Sequence, residues 1–137
     1  MEIRHIQGIR LNDHQRFAIA IRIVEDQEQF IFSADIEDTV VKARGEGMFE
    51  TFQLLRDSLF EQGIGLLCQG ARENVMQSAM AYATDQIYQL TLGRQALAKD
   101  KVSIFDAAEL NEFCTSREQD RYAQQWLYSL KELDVAL

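Results

Sequence analysis

The strongest constraint on the fold is an alternation of apolar side chains between residues 16 and 25. Apolar residues occupy every second position, at Phe17, Ile19, Ile21 and Ile23. In a β-strand such positions share one face, because side chains repeat every two residues. The opposite face is small or apolar except at Arg22. The pattern therefore predicts a central strand that is at least partly covered on both faces.

Two weaker strand patterns flank this segment. Residues 2–11 alternate loosely, and residues 29–33 place two phenylalanines on one face. The polar segments 12–14 and 25–28 lie between the three strands and are short enough to be tight turns. Because short turns join antiparallel neighbours, the first third of the chain is predicted to form a three-stranded antiparallel meander.

A helix is predicted over residues 48–62. Its apolar residues follow the spacing of one helical face, and they are Phe49, Phe52, Leu55, Leu59 and Phe60. Gly63 is expected to end the helix, because glycine tolerates the left-handed backbone found at that position. The preceding segment, 35–47, is charged and contains two glycines, so it is predicted to be irregular.

A second helix is predicted over residues 116–133. Thr115 and Glu118 have the spacing of a capping box, in which each side chain accepts a hydrogen bond from the other residue's backbone. The apolar residues that follow at helical intervals are Tyr122, Trp126, Leu130 and Leu133, with Leu127 beside them. This stripe predicts that the helix packs back onto the sheet.

Short apolar or alternating runs predict further strands at residues 64–68, 87–92 and 102–105. Residues 75–85 fit either a short helix or an ordered loop. No proline, linker or repeat divides the chain, so residues 1–137 are expected to form one domain. The predicted fold class is α+β, with a single mixed, mainly antiparallel sheet that contains the N-terminal three-strand meander and carries two packed helices.

The charge of the chain limits its partners. It has 22 acidic and 14 basic residues, a formal net charge of −8. This argues against binding to nucleic acid or to an anionic membrane, because both need basic residues on the protein. No apolar run approaches the roughly 18 residues that span a bilayer, and residues 1–5 lack the pattern of a signal peptide. Cys68 and Cys114 make no disulfide framework, so we expect a cytoplasmic protein with reduced thiols.

The sequence predicts no catalytic, metal-binding or cofactor-binding residue. Cys68 and Arg72 invite comparison with a cysteine-dependent phosphatase loop, but too few residues separate them for the backbone amides to encircle an anion. His5 and His14 lack the further ligands that a zinc site needs. No glycine-rich nucleotide-binding motif is present.

Two acidic clusters flank the predicted strand at residues 29–33. They are Glu25, Asp26 and Glu28 before it and Asp35, Glu37 and Asp38 after it. Their order lacks the alternating ligands and central glycine of a calcium loop. They are either solvated loops or a contact surface for a basic protein, and we predict them as partner-binding residues.

The segment between Gly70 and Ser78 offers a different function. Arg72 and Asn74, together with Ser78, could hold an anion in a small-ligand-binding or enzymatic domain. The structural interpretation is favoured here, in which Arg72 pairs with a carboxylate or with backbone carbonyls and pins the loop. A third interpretation is a homo-oligomeric subunit that uses the helix containing Trp126.

Five short segments, 66–72, 74–75, 78–80, 88–93 and 104–106, carry a resemblance to a known group of proteins. They read Leu-Leu-Cys-Gln-Gly-Ala-Arg, Asn-Val, Ser-Ala-Met, Tyr-Gln-Leu-Thr-Leu-Gly and Ile-Phe-Asp. In these segments the chain resembles small bacterial proteins of polymorphic-toxin and contact-dependent-inhibition loci. Immunity proteins from such loci are small, acidic, cytosolic and toxin-binding. The resemblance implies a non-enzymatic immunity or inhibitor protein that neutralises a basic toxin domain by binding it.

Overall fold

The computed structural model describes residues 1–136, and it describes side chains as far as Lys131. Eight strands and two α-helices lie in this part of the chain. The strands are β1 (Glu2–Arg10), β2 (Arg16–Asp26), β3 (Gln29–Ile36), β4 (Thr39–Gly45), β5 (Ile64–Leu66), β6 (Val75–Met76), β7 (Gln86–Gln89) and β8 (Lys101–Ser103). The helices are α1 (Met48–Glu61) and α2 (Ser116–Ala136).

The strands form two antiparallel sheets. The larger has the order β4-β3-β2-β1-β5, and the smaller has the order β6-β7-β8. The α+β class and the antiparallel meander at the N-terminus are confirmed. The single sheet that the sequence predicted is instead two, because the short strands after β5 pair with one another and not with the meander. The segment 75–85, left open as helix or loop, contains β6 and a 3-10 turn at Ala79–Ala81.

The prediction that residues 35–47 are irregular is wrong. β3 runs on to Ile36, and β4 pairs with it antiparallel from Thr39 to Gly45. The inward-facing residues of β4 are small, and lysine and arginine alternate with them on the outer face, so its apolar signal is weak. The pairing of Phe30 with Gly45 places the end of β4 beside the start of β3. Residue 46 and the start of α1 therefore lie next to the β2–β3 turn.

Helix α1 covers one face of the large sheet. Its residues Phe52, Leu55 and Leu59 are completely buried, as is Phe32 of β3 beneath them. The other face of the sheet is largely open, and Val24 on it is 39% exposed. β2 is the central strand, as predicted. Its outer face is only partly covered, since Ala20 and Arg22 are half-buried there and Ala18 and Val24 are exposed. The glycine that follows α1 has a φ of +80° and ends the helix as predicted.

Helix α2 begins with the predicted capping box. The Thr115 amide donates to Glu118 Oε1 at 3.1 Å, and the Glu118 amide donates to Thr115 Oγ1 at 3.3 Å. The helix packs mainly against α1 and β6, not on the large sheet as the sequence predicted. Trp126 is buried and donates from Nε1 to the Arg94 carbonyl at 2.7 Å, whereas the Leu133 side chain lies outside the described residues. In the described part of the chain, neither helix combines the length and the apolar character needed to cross a membrane.

One close approach fixes the path of the chain after β5. A Cβ atom on Gly70 would lie 2.7 Å from Ile104 Cγ2 and 2.8 Å from a ring carbon of Phe52. Glycine therefore lets the backbone pass between α1 and the segment that follows β8. This passage carries the chain from the large sheet to the small one.

The β2–β3 turn is strained. Gln27 and Glu28, its two central residues, have φ angles of 51° and 65°. This left-handed conformation suits a type I′ hairpin, but such turns prefer Asn-Gly because other residues pay a steric cost there.

We expect Gln27→Gly to stabilise the protein by about 1 kcal/mol, because glycine adopts a positive φ without a Cβ clash. Thermal unfolding followed by circular dichroism measures the effect, which should be a rise in Tm of roughly 4 °C. Gln15→Gly is the matched control, since Gln15 is exposed near a turn but its φ is outside the left-handed region. An equal gain from both variants would contradict the assignment of strain to Gln27.

Candidate functional site

Acidic side chains gather at the end of the large sheet where α1 starts. The β2–β3 turn brings Glu28 there, and the end of β4 brings Glu46. These two residues line a pocket of about 440 Å³ together with Tyr82 and the glutamines on either side of Glu28. Tyr82 is 55% exposed, so its ring faces solvent beside the two carboxylates.

A second concavity, also of about 440 Å³, adjoins the first and shares Glu46 and Tyr82 with it. It lies between α1, the segment 75–82 and α2, and we call it the α1–α2 groove. Its acidic lining residues are Glu46, Glu50 and Asp120. Its apolar lining residues are Phe49, Val75, Met76, Ala79 and Ala123, besides Tyr82.

Six carboxylates surround these two concavities and form what we call the acidic end. They are Glu25, Asp26, Glu28, Glu46, Glu50 and Asp120. All six residues are exposed. Within the described residues none of them is in an ion pair, and none of the side chains lining either concavity is basic. The acidic end therefore presents carboxylates that form no ion pair within the described residues, although Arg44 lies nearby and donates to the side chain of Gln29 at 3.1 Å.

The segment that carries Tyr82 is fixed to the start of α1. The Tyr82 carbonyl accepts a hydrogen bond from the Met48 amide at 2.7 Å, and Gln77 Oε1 accepts from the Phe49 amide at 3.3 Å. Gln77 Nε2 donates to the carbonyls of Thr84 and Gln86 at 2.8 and 3.0 Å. Two backbone donors at the start of α1 are thus already occupied. They hold the wall of the groove in place and are not free to bind an anion.

A buried polar network sets the position of α2 and hence the width of the groove. Gln119 of α2 is 1% exposed, and its Nε2 donates to the carbonyls of Gly70 and Arg72 at 2.8 and 2.7 Å. Its Oε1 accepts from Arg56 Nη2 at 2.6 Å and from Gln53 Nε2 at 3.0 Å. One glutamine therefore joins α2 to α1 and to the turn after β5.

Arg56 is the charged member of this network. It is 3% exposed, and its Nε donates to Asp57 Oδ1 at 3.0 Å. Asp57 in turn accepts hydrogen bonds from the amide and hydroxyl of Ser116 at the start of α2. Among the described residues Arg56 Nη1 is without a hydrogen-bond partner. Burial of this guanidinium makes the network sensitive to the loss of any partner.

The two acidic clusters predicted from the sequence lie at opposite ends of β3. Of the first cluster, Glu28 lines a pocket, and Glu25 and Asp26 belong to the acidic end at the last two positions of β2. In the second cluster Asp35 forms a bidentate pair with Arg22, both contacts being 3.0 Å, and Glu37 pairs with Arg10. Two of its three carboxylates are thus partly neutralised within the chain.

The predicted ligand residues between Gly70 and Ser78 are not brought together around a common site. Arg72 Nε donates to Gln69 Oε1 at 2.9 Å, a side-chain amide and neither the carboxylate nor the carbonyl that we expected. Asn74 Nδ2 donates to the Leu90 carbonyl at 3.1 Å. Ser78 lines the α1–α2 groove. Arg72 and Asn74 hold the loop to its neighbours.

The two thiols are poor nucleophiles. Desolvation by burial raises the pKa of the Cys68 thiol from 9.0 to about 12, although nearby backbone amides oppose the shift. Burial likewise raises the pKa of the Cys114 thiol to about 11. Because the thiolate is the reactive form, these raised pKa values keep both thiols in the less reactive protonated form at neutral pH.

The sequence offered residues 46–61 and the C-terminal helix only as second-choice contact regions, and it did not single out Tyr82. Glu46 and Glu50 are four residues apart, with Glu46 just before the N-cap Gly47 of α1 and Glu50 in the first turn of that helix. That signal was available. Their proximity to Glu28 cannot be predicted from the sequence. It depends on the pairing of β4 with β3, and the charged outer residues of β4 weaken its strand pattern.

The sequence matches no protein-family model and no curated protein. Among the described residues no group of three or more histidine, cysteine, aspartate or glutamate side chains could hold a metal ion. The geometry and charge of the acidic end are therefore the basis of the functional inference.

We expect Gln119→Leu to destabilise the protein by about 3 kcal/mol, because it leaves the Arg56 guanidinium buried with fewer partners. Gln53→Leu, which loses one hydrogen bond at a half-buried site, should cost about 1 kcal/mol.

Urea denaturation of Gln119→Leu, Arg56→Met and the double variant gives the coupling between the two residues. We expect the double variant to be more stable than the sum of the single effects by at least about 1 kcal/mol. Additive effects would show that Arg56 and Gln119 act independently.

The thiol pKa values predict how stability depends on pH. The unfolded chain loses the Cys68 proton near pH 9 and the folded chain near pH 12. The unfolded state thus binds fewer protons in this range, so stability should fall as pH rises from about 9 to about 12. Cys68→Ala should flatten this fall relative to the unchanged chain, as measured by urea denaturation at several pH values. An unchanged slope would show that Cys68 does not contribute to it.

Proposed function

We propose that this protein is a non-enzymatic binding module, an immunity-type inhibitor that neutralises a basic toxin domain by covering it. The observation that carries the proposal is the acidic end, with its six exposed carboxylates and two adjoining concavities. We propose the cytoplasm as its place of action, in keeping with its two free cysteines.

Electrostatics supports a basic partner. The net charge of −8 gives the whole molecule a negative field, and the acidic end concentrates negative charge where no described lining residue is basic. Complementary charge steers a partner into the correct encounter and raises the association rate by roughly 10-fold to 1,000-fold. It also excludes acidic competitors, so it contributes more to rate and specificity than to raw affinity.

Exposed apolar groups next to this charge support a protein partner. Met80 is 97% exposed and Tyr82 is 55% exposed, and both lie on the segment docked against α1. Tyrosine and methionine are enriched in protein interfaces, where an apolar centre is surrounded by a polar rim. Tyr82 lies among the carboxylates that line the two concavities, and Met80 is two residues away on the same segment.

The alternative, a small-ligand-binding or enzymatic domain that uses the Gly70–Ser78 loop, has less support. Arg72 and Asn74 are engaged by Gln69 and by the Leu90 carbonyl. An anion would have to displace these bonds to use the same donors. The inhibitor proposal requires no such rearrangement.

Stopped-flow association with the purified basic domain of any toxin-like gene product encoded next to this gene tests the proposal, and the absence of such a gene would count against it. We expect Glu28→Gln, Glu46→Gln and Glu50→Gln together to slow association by about tenfold at low salt and to flatten its salt dependence. The matched control removes three charges from the other end of β3 by Asp35→Asn, Glu37→Gln and Asp38→Asn. Equal slowing by both triple variants, or no binding to the unchanged protein, would overturn the proposal.

A further inference from the structure

We infer that the α1–α2 groove receives one apolar side chain from a basic segment of the partner, with a lysine or arginine of that segment at the acidic rim. This inference rests on the proposed function and names the chemistry of the contact. The groove has an apolar floor and an acidic rim. It therefore selects for an apolar side chain in the partner as well as for positive charge.

Two of the three glutamines that line the groove have hydrogen-bond partners at both ends of the side-chain amide. Gln119 uses both ends of its amide within the buried network, and Gln77 does the same with the start of α1 and with two carbonyls. Gln53 Nε2 donates to Gln119. An apolar side chain that enters the groove therefore leaves these amides paired, so it avoids the cost of a buried unsatisfied group. A polar ligand could use only Ser78, the Tyr82 hydroxyl and the free end of Gln53 among the uncharged polar side chains of the lining without displacing a bond of the other two glutamines.

The walls and floor between these glutamines are apolar. Val75 is 1% exposed and Phe49 is 6% exposed, and both contribute to the lining. Ala79 and Ala123 are the small residues of the two opposing walls. A volume of about 440 Å³ is at the lower end of the roughly 300–1,000 Å³ of ligand-binding pockets. This size suits a single side chain and its adjoining backbone.

The carboxylates at the rim determine which partner residues can flank the inserted apolar side chain. Glu46, Glu50 and Asp120 are exposed carboxylates without a cation among the described lining residues. Charge complementarity therefore favours a segment with lysine or arginine next to the apolar residue. The pocket beside β1 is larger, at about 590 Å³, but its only acidic lining residue, Glu109, is bound by Arg16 at 2.8 and 2.9 Å. That pocket has no free charge with which to select a basic segment.

The first test uses synthetic peptides and two-dimensional NMR of the ¹⁵N-labelled full chain. The probe is an acetylated and amidated five-residue peptide with leucine at the centre and lysine or arginine on both sides. We expect saturable shifts of the amides of Gly47, Gln53 and Ala123. The same peptide with glycine at the centre should bind at least fivefold more weakly, and one with glutamate in place of the basic residues should cause no shifts. Equal binding of the leucine and glycine peptides would overturn the inference.

The second test fills the groove without changing its charge. Ala123→Phe should abolish the peptide-induced shifts, and Gln125→Phe is the control that places the same ring on an exposed position of α2. Ala79→Leu narrows the groove from the opposite wall and serves if Ala123→Phe does not fold. Unchanged peptide binding by a folded groove-filling variant would overturn the inference.

The same variants separate this inference from the proposed function. If groove filling leaves association with the toxin domain intact while removal of the acidic charges slows it, the groove inference fails and the proposed function stands. If removal of the charges also has no effect, both fail. Dimerisation of the free chain through the groove, detected by analytical ultracentrifugation and abolished by Ala123→Phe, would likewise overturn it.

Discussion

The rest of the structure depends on the burial of one face of α1 against the large sheet. Phe52, Leu55 and Leu59 have no exposed surface, and each buried side chain of this size contributes roughly 1.5–3 kcal/mol relative to its exposed state. The other parts of α1 organise what surrounds it. Its first turn binds the segment that carries Tyr82, and its buried Arg56 reaches α2. The helix thus connects the sheet, the groove and the acidic end.

The attachment of α2 differs in kind from the attachment of α1. It relies on Arg56, Gln119 and Asp57 as well as on Trp126, and not on a continuous apolar stripe. Burial of a guanidinium costs several kcal/mol, which its hydrogen bonds offset only if their geometry is kept. Such a network tolerates little sliding of one helix along another. We expect it to fix the groove width more closely than apolar packing would.

The sequence predicts those elements of the fold in which apolar residues repeat regularly over a long segment. β2 and α1 were identified because their apolar residues repeat over ten or more positions. β4 was missed because small inward residues and charged outward ones leave little apolar contrast. The second sheet was missed as a unit because β6 and β8 have only two and three residues, so their pairing is set by the fold around them. The candidate site also has one part that the local sequence indicates and one part that depends on the pairing of strands. Glu28 was predicted, whereas its approach to Glu46 required the missed strand.

The acidic end is costly for the free protein, and this cost bears on its function. Glu28 adopts a positive φ that glycine would adopt more readily. Glycine at that position would relieve the strain but would remove a charge from the pocket that Tyr82 lines. Local rules are most often broken where function requires it. A cation placed by a partner in the pocket that Glu28 and Glu46 line would meet two exposed carboxylates that are in no ion pair among the described residues. The strained, uncompensated turn is therefore consistent with a surface that acts when a basic partner covers it.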